Sequence, residues 1–169
     1  MGMWLGRGRK ARRAYGFDEI ALVPGNLTIN PAETDASWTI DGMKLRVPII
    51  ASAMDGVVDV DFAVAMSKLG GVACLNLEGV QTRYENPKEV LSKIAKATPE
   101  QSGVLIQNLY KQPVQEKLVA RRVKEIKKRI GIACVSSIPQ RAEKFGKIAQ
   151  GAGCDIFVVQ STVTTVRHI

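Results

Sequence analysis

The sequence is poor in the residues that build metal and redox centres. It holds one histidine, His168, and three cysteines, Cys74, Cys134 and Cys154, in 169 residues. No two cysteines form a CxxC pair, and one imidazole is too few for the usual His/Cys ligand sets, so no metal site is expected. The odd cysteine count, without a secretion signal, points to reduced thiols and not to a disulfide framework. Each cysteine lies in or just before an apolar run, where a free thiol behaves as a small buried hydrophobe. Aromatic residues are also scarce, at 5%. Nucleic-acid modules interleave base-stacking aromatics with their basic residues or carry a known motif, so nucleic acid is not the expected partner. No apolar run approaches the roughly 18 residues that a membrane span requires. The first ten residues lack the apolar core of a signal peptide. Gly6 stands where a myristoylation signal wants Ser or Thr. The expected location is the cytoplasm.

What is present suits one domain with a real core: 46% of residues are hydrophobic. The net charge is +8, which favours anionic ligands. The excess sits in two places. One is a Gly/Arg-rich arm, residues 1–16, expected to be mobile unless held. The other is the basic run 121–129, which reads as a solvated helix face with Val123, Ile126 and Ile130 as its apolar stripe.

Residues 17–25 read as a short strand stopped by Pro24-Gly25. Residues 38–45 read as a hairpin, because Asp41-Gly42 tolerates the positive φ of a two-residue turn. Both pieces should plug or flank the core. An alternating pattern then begins. Pro48-Ile-Ile-Ala-Ser-Ala53 is an uninterrupted small apolar run, as in a strand buried on both faces. A helix over 59–69 follows, with Phe62, Ala63, Met66 and Leu69 inward, Asp59 or Asp61 at its start and Gly70-Gly71 at its end. Residues 72–76 form the second strand. Residues 78–86 are a polar stretch and 87–97 a helix opened by Pro87. Residues 99–129 read as a helical excursion, although Val104-Leu-Ile106 could be a strand. Strands at 130–136 and 155–160 flank a helix over 139–150. The fold class is therefore α/β. About four parallel strands read as the N-terminal part of a (β/α)8 TIM barrel, which needs eight strands and typically about 250 residues. A half-barrel leaves two bare edges. Truncation, a missing second half, or pairing with another chain would each account for that.

Active-site residues of such barrels lie just beyond the C-terminal strand ends. That rule selects Ser52, Met54 and Asp55 after strand one, and Asn76 and Glu78 after strand two. It selects Ser136 and Ser137 after strand three, and Gln160, Ser161 and Thr162 after strand four. The set is rich in hydroxyls and amides and suits polar-ligand binding better than proton transfer. Met54 could pack on a heterocycle or plug the core. Asp55 is expected to shape its turn through bonds to nearby backbone.

The segments Phe17-Asp-Glu-Ile-Ala-Leu-Val-Pro-Gly25, Pro48-Ile-Ile-Ala-Ser-Ala-Met-Asp55 and Ala63-Val-Ala-Met-Ser-Lys-Leu-Gly-Gly-Val72 resemble the front of the inosine monophosphate dehydrogenase and guanosine monophosphate reductase family. Ala152-Gly-Cys-Asp-Ile-Phe-Val-Val159 resembles that family's fourth barrel strand. The resemblance implies a tetrameric barrel that acts on a purine nucleoside monophosphate with NAD or NADP(H). It implies that Ser52 and Met54 contact the nucleotide, and that Gln160, Ser161 and Thr162 stand where the cofactor ribose is held. The family's catalytic cysteine follows strand six, so none of the three cysteines here corresponds to it, and these 169 residues alone are expected to be inactive. Residues 78–129 are too few for the paired regulatory CBS domains of typical dehydrogenases. The sequence also departs from the dehydrogenase pattern at Leu75-Asn-Leu-Glu-Gly79 and at Gln160, where dehydrogenases carry Asp. A dehydrogenase, a reductase and a non-catalytic nucleotide-binding or assembly protein all remain open at this point.

Overall fold

The computed structural model describes residues 3, 4, 8, 10–130 and 132–160. They fall into two units, Met1–Asp35 and Ala36–Ile169. In the first, β1 (Met3–Trp4) pairs antiparallel with β2 (Lys10–Ala11). The Lys10 ammonium lies 4.6 Å from the centre of the Trp4 ring. Two 3₁₀ turns follow, at Phe17–Glu19 and Pro31–Glu33. The strand expected over 17–25 is not formed. Phe17, Leu22 and Val23 are exposed, and a strand without a ladder partner leaves its backbone unpaired.

The second unit opens with β3 (Trp38–Ile40) and β4 (Met43–Leu45), paired antiparallel with Ile40 opposite Met43. Asp41 and Gly42 take φ of 46° and 79°, the pair of positive values that such a turn requires. The hairpin inserts Leu45 into the core, where it joins Val72, Cys74 and Cys134.

Four parallel strands make the main sheet in sequential order: β5 (Ile50–Ala51), β6 (Val72–Asn76), β7 (Cys134–Ser137) and β8 (Ile156–Val159). A doubly wound sheet would reverse its strand order at a switch point. This one does not, as a barrel wall requires. Helices α1 (Val60–Leu69), α5 (Glu116–Ile130) and α6 (Pro139–Gly151) cover one face. Between β6 and α5 lie α2 (Val80–Arg83), α3 (Pro87–Lys96) and α4 (Pro99–Tyr110).

Strand alternation sorts the core into two layers. Ala73, Leu75, Ala133 and Val135 face the helices and pack with Ala63, Val119, Val123, Ile126, Phe145 and Ala149. Val72, Cys74 and Cys134 occupy the other face.

Four sequence expectations need correction. The first strand is two residues long, and Ile49 and Ile50 are 56% and 45% exposed, because β5 is an edge strand that, among the described residues, pairs with β6 alone. In α1, Phe62, Ala63 and Met66 pack inward as expected and Val64 joins them in the interior, but Leu69, one residue before the terminating Gly70, is 70% exposed. The polar stretch 78–86 contains α2. The basic run 121–129 is not wholly a solvated face, because Arg122 is buried. Its guanidinium donates to the carbonyls of Gln81, Tyr84 and Glu85, at 2.9, 3.3 and 3.0 Å, and to Glu125 at 3.0 Å. These are carbonyls that the short α2 and the turn after it cannot satisfy internally.

Helix ends are fixed by local chemistry. The Asp59 carboxylate caps α1 by accepting the Phe62 N–H at 2.7 Å. Gly70 closes the helix at φ 97°. A side chain there would also stand 2.6 Å from Arg46 Cβ. Asp61 ties three elements together, accepting from Arg129 and Lys88, each at 2.7 Å.

Replacing Arg122 by Met should leave those carbonyls unpaired and Glu125 held by Arg121 alone. We expect a loss of about 3 kcal/mol in urea unfolding, with Arg122→Lys recovering only part of it, since one ammonium cannot span the same fork. A second expectation concerns acid. Arg129, and after it Lys88, hold the Asp61 carboxyl at about 2, below its ordinary 3.8. A depressed carboxylate contributes stability that is complete above its unfolded value and is lost as pH falls from about 4 through about 2. The side chain is 54% exposed, so the contribution is small. Carbon-13 titration should place the Asp61 midpoint near 2, and Lys88→Ala should move it upward.

Candidate functional site

The C-terminal ends of β5, β6, β7 and β8 converge on one rim. Ser52 and Met54 leave β5 on its exit loop, and Met54 is 52% exposed. The Met54 carbonyl accepts the Val57 and Val58 N–H groups at 3.0 and 2.9 Å, folding the loop into a tight turn. Both side chains are therefore presented at the mouth without being plugged into the core.

Asp55 does more than shape this turn. Its carboxylate accepts the Asn76 amide at 3.0 Å and the Val80 N–H at 2.9 Å. It also accepts the Tyr110 hydroxyl. One side chain thus joins the exit of β5, the exit of β6, the start of α2 and the end of α4. Gly79 makes this approach possible, because a Cβ there would lie 1.7 Å from Asp55 Oδ1. Burial, reinforced by the Asp55 charge, pushes the Tyr110 phenol above its ordinary range. The Arg83 guanidinium lies 5.1 Å from the centre of the Tyr110 ring.

A second cluster forms at β6 and β7. Asn76 Oδ1 accepts the Glu78 N–H at 2.9 Å. Glu78 accepts from Ser137 Oγ at 2.7 Å and from Arg141 at 2.9 Å. Ser136 is buried, and its hydroxyl has no partner among the described residues. The Gln160 N–H bonds the Ser137 carbonyl at 3.0 Å, extending the ladder past β8, while the Gln160 side chain is exposed. Ser161 and Thr162 lie outside the described residues.

The rim is therefore split. Ser52 and Met54 stand beyond one edge strand and Gln160 beyond the other, three strand spacings or roughly 14 Å apart. Nothing in the sequence singles out Tyr110 or Arg141, because each reaches the rim from a helix. The cysteines are not nucleophiles here. Cys74 and Cys134 are buried opposite each other across β6 and β7. The Cys74 thiol, together with burial, pushes Cys134 up. Burial also pushes Cys154 up, to about 11. Cys134 and Cys154, so raised, stay protonated and inert, while the buried Cys74 thiol is drawn down by its contact with Cys134.

Comparison with known proteins places this geometry. Residues 14–168 match the IMP dehydrogenase / GMP reductase domain. The chain belongs to the IMP dehydrogenase/GMP reductase family. Its sheet is the corresponding wall of the family's barrel. A crystal structure of an IMP dehydrogenase/GMP reductase-like protein from Corynebacterium glutamicum superposes with a TM-score of 0.83, at 28% identity, over 99% of this chain and 46% of that one. An uncharacterized oxidoreductase of Mycolicibacterium smegmatis is 29% identical over 98% of this chain. The inosine-5'-monophosphate dehydrogenase of Methanocaldococcus jannaschii is 38% identical over 74 residues, 44% of this chain and 15% of its own length. This member of the IMP dehydrogenase/GMP reductase family spans 45% of the length of the mycobacterial oxidoreductase.

Asp55→Asn should test the junction. The amide must turn an N–H toward at least one existing donor, so a loss of about 1–3 kcal/mol is expected. Amide hydrogen exchange at Val80 should speed up selectively.

Proposed function

We propose that this chain forms one wall of the nucleotide pocket in a purine-nucleotide oxidoreductase. The observation that carries the reading is the exposed pair Ser52 and Met54, held at the mouth of the first barrel strand by the Asp55 junction. Ser52 offers a hydroxyl to the nucleotide. Met54 offers a flat, polarizable thioether to the purine. Asp55 does not touch the ligand in this reading and fixes the loop that carries both. The preferred reaction is IMP to XMP with NAD, through a thioimidate on a cysteine supplied by sequence outside these 169 residues. No catalytic residue lies in this chain.

Gln160, with Ser161 and Thr162 after it, would hold the cofactor ribose. An exposed amide at the end of β8 fits a ribose hydroxyl, since it donates and accepts. When bound, NAD or NADP(H) supplies the hydride exchange, while this chain's residues orient it. A second reading, GMP to IMP with NADPH, is favoured by Gln160 itself. An amide holds a ribose less tightly than the Asp of dehydrogenases would, because charge-assisted bonds are the stronger ones. We place the parent protein in the cytoplasm as a homotetramer, with residues 17–169 as the first half of its barrel. It would lack CBS domains, since helices fill the span between β6 and β7.

Full-length protein should turn over IMP with NAD, or GMP with NADPH. Activity with neither pair rejects both readings and leaves a non-catalytic nucleotide-binding or assembly protein. Met54→Ala should raise the nucleotide KM about tenfold, the loss of roughly 1.4 kcal/mol of contact. The 169 residues alone should show no turnover.

A further inference from the structure

Two ligands must meet at a rim whose binding ends stand on opposite edge strands. In the proposed reaction a hydride, one proton with two electrons, passes between the purine carbon and the cofactor ring, so that one is oxidised as the other is reduced. A misplacement of about 1 Å at such a step can cost about 100-fold in rate. The nucleotide loop and Gln160 therefore have to keep a fixed separation across roughly 14 Å of rim. The helix layer reaches Leu77 and Val135. Beyond them the strand exits are tied by hydrogen bonds.

Those bonds form one continuous series across the four strand ends. Asp55, at the exit of β5, accepts the amide of Asn76 at the end of β6, at 3.0 Å. Asn76 accepts the Glu78 N–H at 2.9 Å. The Glu78 carboxylate accepts the hydroxyl of Ser137, at the end of β7, at 2.7 Å. The Ser137 carbonyl accepts the Gln160 N–H beyond β8 at 3.0 Å. Glu78 is the middle link. Its backbone is tied to the nucleotide side and its carboxylate to the cofactor side.

Stability does not explain the setting of this carboxylate. Leu77, Gly79 and Val80 around it are buried, and the Glu78 side chain is only 14% exposed. Its ionic partner is Arg141, at 2.9 Å, in the first turn of α6. A cation there sits at the unfavourable end of the helix dipole. An ion pair whose acid is withdrawn from water returns little net stability. What the arrangement supplies is direction. Ser137 on one oxygen and Arg141 on the other fix where the carboxylate points. We propose that Glu78 is a positioning residue, which sets the separation between the nucleotide at Ser52 and Met54 and the cofactor at Gln160 without touching either. This rests on the function proposed above, which supplies both ligand positions.

The test compares full-length wild type with Glu78→Ala and with Ser137→Ala, which removes the hydroxyl link and leaves the Glu78–Arg141 pair. Without ligands, amide hydrogen exchange at Gln160 should quicken about fivefold in both variants, the loss of one hydrogen bond. Val80, held by Asp55, should keep its wild-type rate. Calorimetric Kd values for the nucleotide and for the cofactor should stay within about twofold of wild type. The single-turnover hydride-transfer rate should fall about tenfold in Glu78→Ala and by less in Ser137→Ala. A merely structural role would lower the melting temperature and leave the rate of the folded protein unchanged. Should Glu78→Ala fail to fold, Ser137→Ala decides. The proposal is overturned if the hydride-transfer rate or Gln160 exchange is unmoved, or if either Kd weakens in step with the rate, which would make Glu78 a ligand contact. A wild type without turnover overturns the proposed function and this inference with it, whereas an active wild type with unaltered variants overturns this inference alone.

Discussion

A parallel sheet with short strands has little to hold it except the layer of helices on its outer face. In this chain that layer is built from Ala73, Leu75, Ala133 and Val135 on the strands and Val119, Val123, Ile126 and Phe145 on the helices. Everything at the rim inherits its position from this contact. Where helix cover is thick, over β6 and β7, the strands are four or five residues long and buried except at Asn76. At the edge, over β5, the ladder shrinks to two residues. The chain compensates there with polar chemistry. The Asp55 carboxylate gathers donors from Asn76, Val80 and Tyr110. The loop carrying Ser52 and Met54 is thus anchored by hydrogen bonds at the place where packing is weakest.

Buried charge is handled in the same way on the next residues of α2. Arg122 enters the core layer only because three carbonyls and Glu125 meet it. A buried ion left without partners would cost several kcal/mol. Its fork converts the ragged end of a four-residue helix into a fixed surface for α5.

Much of the architecture was legible because it rests on local rules. Asp41-Gly42 announced the hairpin through its tolerance of positive φ. The continuous apolar run at 72–76 announced β6, and Pro87 and Pro139 sit at the first turns of α3 and α6. Illegible features depend on distant partners. The run from Pro48 reads as a doubly buried strand, but burial is set by what lies beside it in space. Asp55 reads as a turn residue, since its partners are 21, 25 and 55 positions away. Arg122 sits within a basic helix and gives no sign that it alone turns inward. The strand-end rule selects Ser52, Met54 and Gln160 as candidates, yet the rule cannot say that they stand on opposite edges.

The spacing of the ladders has a consequence for how the chain reaches this state. Ile50 faces Val72 and Cys134 faces Ile156, each 22 positions on, whereas Cys74 faces Cys134 across 60 positions. Closing the longer loop costs about 0.9 kcal/mol more in chain entropy. Two local strand–helix–strand pieces, β5–α1–β6 and β7–α6–β8, therefore have the kinetic advantage. The central ladder that joins them waits for α2 to α5 to fold the intervening chain back. The cysteine-lined seam between β6 and β7 is thus the last seam to close during folding, and the one that the helix layer then covers most thickly.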